Sequence, residues 1–197
     1  MEKALFNKYL LRRGTNIYTL SNPVLSIINE HSRHTSLINK NEKINSFNIT
    51  NADEMFKICS ELFLDMDIAV LSAAVSDYTP TVKSTSKIKK SERELNLELV
   101  KNPDILKWAS FNRTNGQKVI GFALETNNEE ENALIKLEAK KLDALVLNST
   151  RDENATFGGD LNKVTIFDRH KNKTEFPLQS KLDLGIEIVN IMSRLDD

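Results

Sequence analysis

Two segments, Asp67-Ile-Ala-Val-Leu71 and Asp143-Ala-Leu-Val-Leu147, carry short apolar runs with no polar interruption. A strand with one wet face alternates polar and apolar residues. Unbroken runs of this length predict strands covered on both faces, as in the middle of a parallel sheet. Helical segments around them supply the cover. Thr50-Asn-Ala-Asp53 reads as a capping box, and Met55, Ile58, Cys59, Leu62 and Phe63 follow at helical spacing. Pro103 is expected to open a helix that runs to Phe111, because proline in a first turn costs nothing. Residues 128–142 form a charged helical segment. Strands are expected at 16–20, 44–49 and 118–122. Alternation of this kind defines an α/β fold with a mostly parallel sheet.

The remaining segments are read more coarsely. Residues 3–13 predict a short helix with Leu5, Tyr9 and Leu10 on one face and Gly14 as its stop. Residues 25–43 are polar and irregular. A long polar connection, 76–100, holds a short strand at Leu95–Leu99. Lys163–Asp168 and Thr174–Leu178 alternate as a hairpin or edge pair, and Ser180 caps a last helix through Leu195. No repeat, low-complexity tract or linker divides the chain, so residues 1–197 are treated as a single domain.

Composition narrows the function. Hydrophobic residues make up 40% and charged residues 28%, a globular balance, and the formal net charge of −1 gives no field that would collect nucleic acid or an anionic membrane. An anion must therefore be held by local lysines. Cys59, the single cysteine, cannot form an internal disulfide. The first residues lack a signal-peptide pattern and no stretch is long enough to span a membrane, so a cytoplasmic location is expected. His31, His34 and His170 belong to no ligand pattern, which argues against zinc. The usual glycine-rich phosphate and dinucleotide loops are absent, which argues against a dinucleotide-dependent oxidoreductase.

Four motifs carry the chemistry, and each has a plain alternative. Ser72-Ala-Ala-Val-Ser-Asp-Tyr78 follows a predicted central strand, where open α/β sheets bind ligands. Ser72, Ala73 and Ala74 admit close approach of a nucleotide, with Asp77 at the rim, or they merely relieve packing while Asp77 caps a turn. In Lys87-Ile-Lys-Lys90, three lysines on a loop are either solvated surface or a closing loop over phosphates. Lys101-Asn-Pro-Asp-Ile-Leu106 places Asn102, Pro103 and Asp104 at a helix start, able to read a base edge or hold a phosphate, or simply to begin a helix. Gly121-Phe-Ala-Leu-Glu-Thr-Asn127 follows the next strand. On the helix after it, Lys136 and Lys140 stack four residues apart. Like charges at that spacing repel unless an anion lies between them, although they also complement a helix C-terminus.

In this order, the motifs closely resemble the phosphopantothenate–cysteine ligase domain of coenzyme A biosynthesis, the DNA/pantothenate metabolism flavoprotein C-terminal family, from about residue 4 onward. The resemblance implies a Rossmann-like three-layer fold and a CTP-using, Mg²⁺-assisted ligation of 4′-phosphopantothenate with cysteine. It further implies that Lys87 is the mobile-loop lysine at the reacting groups. Ser72–Ala74 and Asp77 would border the nucleotide. Pro103, Asp104, Ile105, Leu106 and Phe122 would frame cytosine and ribose, Lys136 and Lys140 would hold phosphates, and Asn148 would line the same cleft. A homodimer is typical of such domains. Metal ligands are not assigned.

The chain departs from that family at its start. Members open with a strand, a Gly-Gly-Thr turn and an Asn-x-Ser-Ser-Gly loop, and none of these precedes Met1. The sheet is expected to lack its first, central strand, and the flavin-dependent decarboxylase half is missing. Three readings stay open: a truncated product, a chain completed by a separate polypeptide, or a remnant that binds CTP without ligation. The isolated chain is expected to be weak or inactive.

Overall fold

A computed structural model describes residues 7–11, 17–21, 44–82, 86, 96–149 and 161–195. The strands are β1 (Asn7–Leu11), β2 (Ile17–Ser21), β3 (Ile44–Asn48), β4 (Ile68–Leu71), β5 (Tyr78–Pro80), β6 (Leu99–Lys101), β7 (Lys118–Glu125), β8 (Ala144–Ser149), β9 (Leu161–Asn162), β10 (Val164–Asp168), β11 (Lys173–Glu175) and β12 (Gln179–Ser180). The helices are α1 (Ala52–Phe63), α2 (Ile105–Phe111), α3 (Glu129–Ala139) and α4 (Lys181–Met192).

Among the described residues, eight strands form one sheet in the order β11-β10-β8-β7-β4-β1-β2-β3. β4, β7 and β8 pair in parallel, as do β2 and β3. β1 and β10 run against the rest. The apolar runs do what their sequence implies: Ala69, Leu145 and Val146 are fully buried at the centre. On one face Ala69, Leu71, Val119, Ala123, Leu145 and Leu147 pack with Phe63 of α1, Ala109 of α2, and Ala133 and Leu137 of α3. On the other, Val70, Ile120, Val146 and Ile166 pack with Leu184 and Met192 of α4. Three layers result, the Rossmann-like α/β arrangement that the family resemblance implies. Each large side chain removed from water there contributes about 1.5–3 kcal/mol.

Local chemistry sets the helix ends. Asn51 caps α1 by accepting from the Glu54 N–H at 2.9 Å, and the Glu54 carboxylate reaches back to Thr50 N and Oγ1 at 2.7 and 2.8 Å. The reciprocal partner is thus Glu54, one residue later than the Thr50–Asp53 box expected. Asp104, not Pro103, caps α2: its carboxylate accepts from the Lys107 N–H at 3.0 Å, and Pro103 stands just outside. α3 stops at Ala139 because Lys141 adopts φ +49 and closes a Schellman turn, with Leu142 N–H donating to Leu137 O at 3.0 Å. Ser180 caps α4 as expected, accepting from the Asp183 N–H at 3.1 Å.

Several expectations are corrected. Part of the 3–13 segment is strand β1, not helix. It pairs with both β2 and β4 and fills the position next to β4 that was expected to be vacant. An uncovered β4 edge would leave a row of backbone donors and acceptors unpaired, and satisfying them outweighs a weak local helix preference. The short strand expected at 95–99 lies at Leu99–Lys101, where it pairs with β5. Residues 25–43, with His31 and His34, and the lysine loop 87–90, with Lys87, lie outside the described residues.

Candidate functional site

The start of α2 lies at the carboxyl ends of β4 and β7. α3 runs back along the sheet to end beside the start of β7, where Asp143 N–H donates to Val119 O at 3.0 Å. From there the Lys140 side chain reaches to the start of α2. The Asn102 side-chain amide donates to Ser76 O at 2.8 Å, and its backbone N–H donates to Asp77 O at 2.8 Å. These bonds fasten the segment after β4 to the strand that leads into α2. Ala73 and Val75 pack beside Ile49, Met55, Cys59 and Ile105, which seats the segment from below. Small residues here therefore do serve packing, while Ala74 and Asp77 remain exposed at the rim.

Asp104 joins two elements. Besides capping α2, it meets the Lys140 ammonium at 2.7 and 3.0 Å, across 36 residues of sequence. Partial burial alone would raise the Asp104 pKa. The hydrogen bonds from Lys140 and the Lys107 N–H, with the charges of those lysines, outweigh burial and hold the carboxyl below its ordinary value.

Lys136 lies one turn before Lys140 and is half-buried. Burial pushes its ammonium below the ordinary lysine value and repulsion from Lys140 adds to this. The Glu125, Asp104 and Asp77 carboxylates pull in the other direction, in decreasing order. Glu125 stands on the α3 side of the sheet because it is two residues beyond Ala123, whose side chain faces α3. No role attached to Glu125 in the sequence, since the strand was expected to stop at Phe122. Continuing the period-2 pattern from Val119 would have placed it.

Not all sequence candidates join this cluster. Phe122 packs on the α4 side of the sheet. Asn148 is on that side too, where its Oδ1 accepts from Asn162 Nδ2 at 3.1 Å. A ligand touching both groups must lie across the ends of β4, β7 and β8. Ile105 is buried, and Leu106 packs into the core against Gly121, so these side chains seat α2 rather than frame a base. Ser72 and Pro103 are half-buried at the same edge. A cleft of about 260 Å³ opens beside the 75–80 segment, with Ile49, Met55, Asn51, Tyr78 and Asn102 among its walls.

The arrangement can grip a polyanion. The Lys140 ammonium is held by Asp104 at the start of α2, Lys136 lies one turn before it on the same helix, and both are near the sheet edge where α/β folds bind ligands. Among the described residues no group of three or more His, Cys, Asp or Glu side chains is placed to hold a metal ion by itself. No described helix is long and apolar enough to cross a membrane.

Comparisons with known proteins place the chain in a family. Residues 32–195 match the DNA/pantothenate metabolism flavoprotein C-terminal domain, and the chain belongs to that family. A cysteine/cysteine sulfinic acid decarboxylase from an unidentified prokaryote is 38% identical over 75% of this chain and 41% of its own length. The coenzyme A biosynthesis bifunctional protein CoaBC of Bacillus subtilis is 37% identical over 75% of this chain and 36% of its own length. The chain thus spans about two fifths of the curated relatives it matches. The crystal structure of a CoaBC C-terminal domain superposes with a TM-score of 0.63 at 27% identity, covering 78% of this chain and 68% of that one. These relatives support the phosphopantothenate–cysteine ligase domain as the kind of domain present.

Proposed function

We propose that this domain serves CTP-dependent joining of 4′-phosphopantothenate to cysteine in coenzyme A biosynthesis. The observation that carries the proposal is the Lys140 ammonium held at 2.7 Å by Asp104 at the start of α2, with Lys136 one turn before it on α3. In the first step a carboxylate oxygen of 4′-phosphopantothenate attacks the α-phosphorus of CTP. The bond to the β-phosphate breaks, pyrophosphate leaves and an acyl-cytidylate forms. In the second, the amine of cysteine attacks the acyl carbon, an amide forms, CMP leaves and the amine loses a proton.

Such transfers depend on positioning and charge stabilisation. Lys136 and Lys140 bind the triphosphate, and Asn102 holds the segment that borders the nucleotide. Lys87 acts at the reacting phosphate and carboxylate. Mg²⁺ suits this edge, because it is commonly held by substrate phosphates and one or two carboxylates, and the exposed Asp77 offers one. When bound it neutralises phosphate charge. The domain acts in the cytoplasm as a homodimer.

One observation favours a second reading, a nucleotide-binding module without catalysis. β1 runs antiparallel to β4, with Lys8 opposite Leu71, so the edge beside β4 holds the start of β1. A parallel first strand would deliver its loop there. Pyrophosphate release from CTP, dependent on 4′-phosphopantothenate, separates the two. In the ligase, Lys87→Gln leaves CTP binding nearly intact and abolishes acyl-cytidylate formation. CTP binding with no release by any form supports the module, and absence of CTP binding overturns both.

A further inference from the structure

Lys140 closes α3 at its C-cap, just before Lys141 turns into the left-handed region at φ +49. Lys136 is one turn back, and repulsion between the two ammonium groups would splay Lys140 into solvent. The Asp104 carboxylate opposes this at 2.7 Å. That carboxylate is itself fixed, because it also accepts from the Lys107 N–H at 3.0 Å and so belongs to the start of α2. The lysine is therefore aimed by an anchor with little freedom of its own.

We propose that Asp104 is a positioning residue that acts through Lys140, holding the ammonium at the site edge until a polyphosphate displaces the carboxylate. This deepens the ligase reading and rests on it only for the identity of the polyphosphate. The pair is partly exposed, with side chains 23% and 38% accessible for Lys140 and Asp104. Ion pairs of that kind hold weakly, so exchange for a multiply charged anion is easy. A buried, dry pair would instead resist exchange. Asp104 thus keeps the lysine in place and competes with the ligand for it.

The test separates charge from helix capping. Asp104→Asn and Asp104→Ser both retain a capping side chain but remove the charge. The full chain, wild type and variants, is titrated calorimetrically with sodium tripolyphosphate and with CTP. A polyanion itself draws both ammonium groups in, so the lost competition outweighs the lost aim, and both variants should bind tripolyphosphate about threefold more tightly. In a Lys140→Gln background that gain should shrink by at least half. The loss of affinity with rising pH should also move to lower pH in Asp104→Asn. Lys136 faces Lys140 on its own helix, Glu125 at the end of β7, Asp104 at the start of α2 and Asp77 after β4. Removing one carboxylate lets its proton leave sooner, an effect that capping alone cannot produce.

Equal affinities in wild type and both variants, the same gain in both backgrounds, or no tripolyphosphate binding by any form overturns the positioning role. If tripolyphosphate behaves as expected but CTP is not preferred over it, the ligase reading fails and the positioning role stands. If CTP binds tightly and Asp104→Asn changes nothing, the positioning role fails and the ligase reading stands.

Discussion

The Asn102 side chain donates to the Ser76 carbonyl at 2.8 Å across 26 residues of sequence, and it does so from a position only 8% exposed. Through this bond the strand leading into α2 controls the segment that follows β4. Asn102→Ala removes the donor while the Ser76 carbonyl can still reach water, so the global cost is about 1 kcal/mol. The local cost is larger. Amides of residues 72–77 should exchange faster in deuterated solvent, and CTP affinity should fall. Asn102→Asp places a carboxylate against the carbonyl and should be worse than Ala in both respects at neutral pH. Unchanged exchange at 72–77 would show that the bond does not hold the segment.

Gly121 sits in β7 directly beneath α2. A Cβ there would come within 2.9 Å of Leu106 Cδ2 and Leu142 Cδ1, and within 3.2 Å of Leu145 Cδ1. All three are leucine side-chain ends, and Leu142 and Leu145 are buried in a closed core, so relief requires their rotamers, and α2 with Leu106, to shift. Gly121→Ala should destabilise by about 1–3 kcal/mol, read as a lower urea midpoint with an unchanged slope. Since α2 carries Asp104, the Lys140 contact should loosen with it. Gly121→Ala combined with Leu106→Ala should recover part of the loss, because the second change vacates one of the clashing positions.

Elements whose signal is local were legible in the sequence. The runs at 68–71 and 144–147 and the α1 stripe gave period and burial together, and Ser180 gave the start of α4 outright. The elements that were misread answer to distant partners. β1 is a strand because β4 and β2 leave a gap between them, and nothing within residues 3–13 records that gap. α3 ends early because Lys141 takes a left-handed conformation that glycine usually marks, so the stop carries no residue signal. β7 runs on to Glu125 because Leu124 and Glu125 find partners in Asn148 and Ser149 of β8. The site divides along the same line. Lys136 and Lys140 were visible as neighbours at helical spacing. Asp104 as their partner was not, since that contact exists only once α2 and α3 pack on one face of the sheet.

Lys136 gives the site a pH dependence whose sign can be worked out. Burial first, then Lys140, lowers its pKa from the ordinary 10.5. In the unfolded chain the lysine keeps its ordinary value and binds more protons between the two values. Unfolding free energy therefore rises with pH across that window, and the cost of the buried charge is fully present below it. Anion affinity runs the other way. The ammonium that attracts phosphate is lost as pH rises through the lowered value, so CTP affinity should begin to fall at a pH where an ordinary lysine is still charged. A bound triphosphate favours the charged form, so binding inside the window should take up protons from buffer. Calorimetric titrations in two buffers of different ionisation enthalpy measure that uptake directly. Lys136→Gln should lower affinity at neutral pH, abolish the uptake and flatten the alkaline fall. If wild type and Lys136→Gln instead give the same pH profile, Lys136 does not face the phosphates, and the lysine pair cannot be the grip on the nucleotide.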